Sequence, residues 1–430
     1  MKITKYPAKE SYAELMKRPA KDANELNTIV AGVLNDIRSR GDEAVREYEA
    51  RFDKVELSAL QVSDSEIKEA ALSVSEELKQ ALVHAHKNIH SFHSSQIFSG
   101  VSLEVQPGVT CSQKSVAIEK VGLYIPGGTA PLFSTVLMLA TPAKIAGCKE
   151  IVLCTPPGKD GKVNPAILMA ARIAGVSKIF KIGGVQAIGA MAYGTESVPK
   201  VYKIFGPGNQ YVMCAKQHVS LHDVAIDMPA GPSEVCVLAD DSSNPEFVAA
   251  DLLSQAEHGI DSQVILITNS EAFAEKVEHE VDRQLNVLPR MEIARKALEN
   301  SHLIVVKDYD EMMLLSNLYA PEHLIIETQN YRELSEMVTN AGSVFMGSYT
   351  PESAGDYASG TNHTLPTSGY ATAYSGVNLD SFVRKITFQE ITPEGVRGIG
   401  KTVELMAENE MLDAHCNAMR VRRLNVENNK

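Results

Sequence analysis

From about residue 115 to residue 326 this 430-residue chain alternates short apolar runs with helix-length amphipathic segments. "KEIVLCTPP" reads as a strand stopped by prolines, "PAILMAARIAG" as a helix, "SKIFKIGG" as a strand, "VQAIGAMAYG" as a helix and "KVYKIFGPG" as a strand again. The helix "NQYVMCAKQHVS" leads to the strand "SEVCVLAD". The pattern continues through "PEFVAADLLSQAEHG", "SQVILITN", "SEAFAEKVEHEVDRQL", "SHLIVVKD" and "HLIIET". Alternation of this kind builds parallel sheets covered by helices. The strands suffice for two sheets, and the chain is too long for a single core. The expectation is an α/β protein with two Rossmann-like, doubly wound domains.

The flanks differ. Residues 1–100 space apolar side chains at three and four, as in "ANELNTIVAGVLNDIRSRGDEAVREYEARFD" and "SDSEIKEAALSVSEELKQALVHAHKNIHSFH", which predicts helices. The segment 347–376 is rich in Gly, Ser, Thr and Tyr; a loop that long inside a domain is functional or disordered. After it "RKITFQEI" reads as a strand, and a helical tail opens on Pro393. That tail is too short to hold its own core, so it should pack on another part of the protein or on a second subunit.

Composition narrows the function. The formal net charge of −13 argues against a general nucleic-acid or anionic-membrane role, and the cluster Arg420–Arg423 is too short to reverse it. No basic-plus-apolar leader is visible at the N-terminus. The longest apolar segment, Val136–Ile145, contains Pro142 and Lys144 and is too short to span a bilayer. Six scattered cysteines without a C-x-x-C pair point to reduced thiols and a cytoplasmic setting.

Five features could carry chemistry. In "SQAEHG" a helix would put Gln255 and His258 on one face, able to reach one metal ion. Gln is an uncommon ligand, and a His followed by Gly259 is also an ordinary helix end, so this stretch alone favours the plainer reading. "APEHLII" sets Glu322 and His323 at the mouth of a strand, either as an acid–base pair or as a surface turn. Asp356 and His363 offer an oxygen and a nitrogen donor, in a loop whose Asp and Asn would equally serve as turn formers. Glu410 and His415 lie in the tail, where a lone His is more often structural. Finally, "YIPGGTAP" (124–131), "FGPGNQY" (205–211) and "DMPAGPSEV" (227–235) are Gly-Pro turns at strand ends. None is the G-x-G-x-x-G fingerprint, but three in one α/β region point to a ligand cleft at the strand ends.

"VGLYIPGGTAPLFSTVLMLATPAKIAG", "GGVQAIGAMAYGT", "GPGNQYV", "DMPAGPSEVCVLAD", "LLSQAEHG", "APEHL" and "SAGDYASGTNHTLPTSGYA", in that order, closely resemble the histidinol dehydrogenase family, from about residue 25 to the tail. The resemblance implies an enzyme of histidine biosynthesis that oxidises L-histidinol to L-histidinaldehyde and then to L-histidine with two NAD. It implies one Zn2+ per subunit, held by Gln255, His258, Asp356 and, from the partner of a homodimer, His415. It implies His323 as the base in both oxidations and Glu322 as the activator of water. Ser233, His363 and Glu410 would touch substrate beside His323 and the zinc ligands; Tyr124, Gln186 and Asn209 would touch NAD. The implied organisation is an N-terminal helical extension (1–24), a first α/β domain (25–123 plus 235–376), an NAD-binding α/β domain (124–234) and a C-terminal arm (377–430) reaching into the mate's site.

Three rivals stay in view. A thiol-based aldehyde dehydrogenase would need a Cys in the cleft, whereas Cys154 and Cys236 fall in expected strands. A zinc dehydrogenase for another alcohol could keep the same ligands. A non-catalytic binder would not need both Glu322 and His323.

Overall fold

The computed structural model describes residues 1–18, 23–127, 130–229 and 231–428, apart from the side chains of 23–25. Gly128 and Thr129 of the first Gly turn and Ala230 of the third lie outside the described residues, as do 19–22 of the expected N-terminal extension. The strands, in chain order, are β1 (Lys2–Lys5), β2 (Val101–Gln106), β3 (Val109–Ala117), β4 (Lys120–Tyr124), β5 (Glu150–Thr155), β6 (Lys178–Lys181), β7 (Lys203–Phe205), β8 (Ala225–Ile226), β9 (Glu234–Ala239), β10 (Gln263–Thr268), β11 (His302–Val305), β12 (His323–Ile326), β13 (Ser343–Met346) and β14 (Val383–Ile391).

Two compact units result, Met1–Ser95 with Ile118–Phe382, and Gln96–Ala117 with Val383–Lys430. The larger holds two sheets, ordered β6-β5-β4-β7-β8 and β1-β11-β10-β9-β12-β13. Every pairing in both is parallel. The α/β expectation is borne out. Each residue of β9 and β10 is buried, as a parallel strand covered on both faces requires. A buried Val, Ile or Leu there contributes roughly 1.5–3 kcal/mol relative to exposure.

The N-terminal stretch departs from the expected helical extension. Lys2–Lys5 is a strand pairing β11 in parallel, at the edge of the six-stranded sheet. Its sequence, KITK, carries one apolar Ile, which suffices because an edge strand is half solvated. Ala23–Arg40, Asp64–Ser73 and Glu76–Ser94 are the helices expected from their periodicity. At the second, Ser63 accepts from the Glu66 N–H while Glu66 accepts from the Ser63 N–H, a complete capping box.

The smaller unit is an antiparallel sheet β14-β3-β2 followed by the helices Pro393–Asn409 and Asp413–Asn428. The tail thus breaks into two helices, with Met411 at φ 58 between them. Among the described residues no helix is long and apolar enough to cross a membrane.

Candidate active site

Parallel strands in the six-stranded sheet all start at one edge, and that edge gathers the titratable side chains. The helix Pro245–Ala256 is capped by Asn244, whose side chain accepts from the Glu246 N–H at 3.0 Å. It delivers Gln255, in its last turn, to the start of β9. There the Gln255 amide Nε2 donates to the Glu234 carbonyl at 3.4 Å and lies 2.8 Å from His323 Nδ1. The amide is thereby oriented, and its Oε1 is buried with no partner.

Glu322 and His323 open β12 beside β9. The preceding helix, Tyr309–Tyr319, ends at Ala320 in the left-handed region (φ 49), an unusual conformation for a side chain with a Cβ. Arg18 supports this corner. It donates to the Tyr319 carbonyl at 2.7 Å and forms a two-pronged pair with Glu234, at 2.6 and 2.8 Å. The Glu234 N–H in turn donates to Glu322 Oε2 at 3.0 Å. His323 Nδ1 lies 3.6 Å from Glu322 and 3.1 Å from the Glu234 carbonyl; His323 Nε2 lies 3.6 Å from Asp356 Oδ1.

The third group comes from 347–376, read in sequence as a loop. Glu352–Tyr357 is a short helix that presents Glu352 and Asp356 one turn apart. Donor atoms of His258, Glu352 and Asp356 all lie within 4.8 Å of one another. His363 is bound through Nδ1 to the Asp356 carbonyl at 2.9 Å and through Nε2 to Thr135 Oγ1 at 3.0 Å. Glu352 and Thr135 were not among the expected site residues. Ser233 adjoins Glu234 and accepts from the Gln263 N–H at 3.2 Å.

The titratable groups of this cluster perturb one another. Burial pushes Glu322 up to about 8. Burial also drives Glu352 far above the carboxylate range. For His323 burial acts downward, but Glu352, Glu322 and Asp356 outweigh it and raise the imidazole to about 10. Asp356 Oδ1, Glu352 Oε2 and Gln255 Oε1 are buried without partners. Bare acceptors grouped in this way with His258 could hold a metal ion. Oxygen and imidazole donors suit zinc.

A second feature lies at the carboxyl edge of the five-stranded sheet. A cavity of about 1400 Å³ opens there, lined by Tyr124, Gln186 and Asn209. It straddles the point where the strand order reverses, between β4 and β7, the usual place for a ligand in such a sheet. Gly206, after β7, has φ 126, and any Cβ on it would collide with the Tyr124 carbonyl. Buried Lys216 holds this loop, donating to the Gly206 carbonyl at 2.8 Å and pairing with Asp227 at 2.5 Å. Asn209 caps the helix Gln210–Ser220, accepting from Tyr211 and Val212. Tyr124 Oη accepts from the Gly184 N–H at 3.1 Å, and Gln186 Oε1 is buried and unpartnered.

The three Gly-Pro turns therefore do not mark one edge. The turns after β4 and β7 serve the cavity, while the third leads from β8 into the amino end of β9. The two features are linked through the segment after β4: Ala130 and Pro131 line the cavity, and Thr135 just beyond touches His363. Glu410 and His415 belong to the smaller unit, both exposed, at the end of one helix and the start of the next.

A profile of histidinol dehydrogenase matches residues 16–423. The chain belongs to the histidinol dehydrogenase family. It is 70% identical over 422 residues to the histidinol dehydrogenase of Bacteroides thetaiotaomicron, covering 98% of this chain and 99% of that one. It is 55% identical over 416 residues to that of Escherichia coli K12, covering 96% and 95%. The crystal structure of histidinol dehydrogenase from Elizabethkingia anophelis superposes with a TM-score of 0.97 at 52% identity, over 99% of both chains. The family resemblance drawn from the seven sequence strings is thus borne out.

Proposed function

We propose that this chain oxidises L-histidinol to L-histidine through L-histidinaldehyde, with NAD+ as acceptor, a zinc ion held by Gln255, His258 and Asp356, and His323 as the base. The observation that carries the reading is the meeting of these side chains at one sheet edge, with the Gln255 and Asp356 oxygens bare, in a chain of this family. Zinc supplies Lewis acidity and a template for the substrate's imidazole and amine, and NAD+ supplies the hydride acceptor.

The chain's own residues handle the protons. With a cation offsetting the carboxylates that raise it, His323 would be neutral and would present its unpartnered Nε2 to the substrate hydroxyl. It takes that proton as the carbinol carbon loses hydride. Glu322, made more basic by burial, removes a proton from the water that adds to the aldehyde. His323 then takes a hydroxyl proton from the hydrate in the second oxidation. One histidinol and one water thus give one carboxylate, two hydrides and three protons. His363 and Ser233 would hold the substrate, with the buried cluster keeping the aldehyde from solvent.

His415 of the partner subunit would complete the metal site, with Glu410 facing the substrate. Supporting a homodimer, the smaller unit exposes Val101, Leu103, Val105 and Phe388 on its sheet, Leu405 and Met406 on a helix, and Met411 between its helices. For NAD, the cavity exceeds the ~300–1,000 Å³ of ordinary ligand clefts, and the orphan Gln186 oxygen awaits a donor. The six cysteines are all free, which suits the cytoplasm.

A thiol mechanism is disfavoured. Cys154 and Cys236 are fully buried in β5 and β9, and burial pushes the Cys236 thiol up to about 12, away from the reactive thiolate. The test is NADH formation from L-histidinol by the purified protein, before and after chelation. Turnover that chelator abolishes and zinc restores is expected. Undiminished turnover in metal-free protein removes the metal from the proposal, and no turnover with zinc present removes the activity.

A further inference from the structure

The carboxyl edge of the five-stranded sheet holds an acidic pair that the proton transfers do not use. Glu49 and Asp53 stand at the two ends of the π-helical turn Glu49–Asp53, a form often found at functional positions. One amide bridges them: Gln186 Nε2 donates to Glu49 Oε1 at 2.8 Å and to Asp53 Oδ2 at 3.2 Å. The Gly183 N–H donates to Glu49 Oε1 at 2.9 Å. Glu49 is fully buried with its Oε2 unpartnered, and the Gln186 Oε1 beside it is likewise bare. Burial, followed by the charge of Asp53, pushes Glu49 up to about 7.

Asp53 is the carboxylate of this pair that reaches the ligand space, since it lines the cavity together with Tyr124 and Gln186. Its position in the sheet is specific. A Cβ built on Gly183, just past β6, would lie 3.1 Å from Asp53 Oδ2 and 2.8 Å from Pro156, just past β5. Asp53 therefore stands over the ends of the strands on one side of the switch point. The opposite end of a bound dinucleotide has to approach His363 by way of the segment after β4. In doubly wound sheets an acid on the side of the second strand accepts from the adenosine ribose, and an Arg in its place accommodates a 2′-phosphate.

We propose that Asp53, positioned by Gln186 and backed by Glu49, accepts a hydrogen bond from the adenosine 2′-hydroxyl of NAD+ and repels the 2′-phosphate of NADP+. The inference rests on the reading of this cavity as the NAD site. A phosphate there would bring up to two negative charges against one or two carboxylates. The rival reader is Arg51, which also lines the cavity and could instead welcome a phosphate.

The test is titration calorimetry of the zinc-loaded protein with NAD+ and with NADP+, in the absence of histidinol. The wild-type chain should bind NAD+ and bind NADP+ at least ~100-fold more weakly. Asp53→Asn should narrow that ratio by about tenfold or more, with NADP+ binding tighter than to wild type. Asp53→Ser is the second variant should the first fail to fold, judged by its melting curve. An unchanged ratio in a folded variant overturns the assignment, as does wild-type protein that takes NADP+ as readily as NAD+. If wild type binds neither dinucleotide, the NAD reading of the cavity falls and this inference with it.

Discussion

Gln255 and His323 arrive on a helix and a strand separated by 68 residues of chain, yet the Gln255 amide nitrogen lies 2.8 Å from His323 Nδ1. The contact turns the amide oxygen away from His323, leaving it bare in the interior, and leaves His323 Nε2 facing Asp356. The proposed metal donor and the proposed base are thus oriented by the same pair.

His323→Asn should lower kcat by about 10²–10⁴-fold while zinc stays bound, because Asn keeps the polar contact near Glu234 but cannot take the proton. Steady-state kinetics with metal analysis of the same sample checks this. Retained turnover would show that another group is the base.

Glu352→Gln should weaken zinc binding by about 10–100-fold, measured by competition with a chromogenic chelator. The side chain is almost wholly buried within reach of His258 and Asp356, and an ion there would draw off the proton that burial holds on it, so its charge would favour the ion even without a direct bond. Unchanged affinity would reduce Glu352 to a packing role.

Glu352 also shows where sequence reading stops. The alternation after residue 115 exposes the parallel sheets because each strand carries its own apolar run. The helix end at Gln255 and His258 and the strand mouth at Glu322 and His323 are legible because each pair is local. "TPESAGDY" reads instead as a solvated loop, and the burial of Glu352 comes from packing against residues some 90 positions away. The available signal was the spacing of Glu352 and Asp356, four apart, which places them on one face of a helical turn. Thr135 had no signal: an apolar helix with two threonines gives no hint that one hydroxyl meets His363. Lys2–Lys5 is strand because β11 offers an open edge, which KITK alone does not announce. Val101, Leu103 and Val105 do alternate as a strand should, yet they are exposed, so here the alternation does not mark a core-facing side.

His258→Ala and His415→Ala homodimers should each be inactive, yet mixed and allowed to exchange they should recover roughly one quarter of wild-type activity. Half the dimers would be hybrid, and each hybrid would have one intact site if His415 crosses to its mate. Verified hybrids without activity would mean that both side chains act within one subunit.

Glu327→Gln should gain stability over the wild type as pH rises from 5.5 to 8.5. Glu327 and Asp251 are buried and bonded to each other, and burial raises both. The folded state therefore holds a proton that the unfolded chain releases near pH 4.3, so wild-type stability falls as pH climbs above that value. The amide never ionises and escapes this loss, by ~1 kcal/mol or more across the range. Paired thermal melts check the sign; parallel pH profiles for the two proteins would show that the pair ionises freely.

The most direct measurement of the central claim is the yield of NADH from a limiting, known quantity of L-histidinol, run to completion with zinc and excess NAD+ and with the product identified. Two NADH per histidinol, with L-histidine as the product, is the expected result. One NADH with free aldehyde accumulating, or none, would contradict the assignment of both oxidations to this single site.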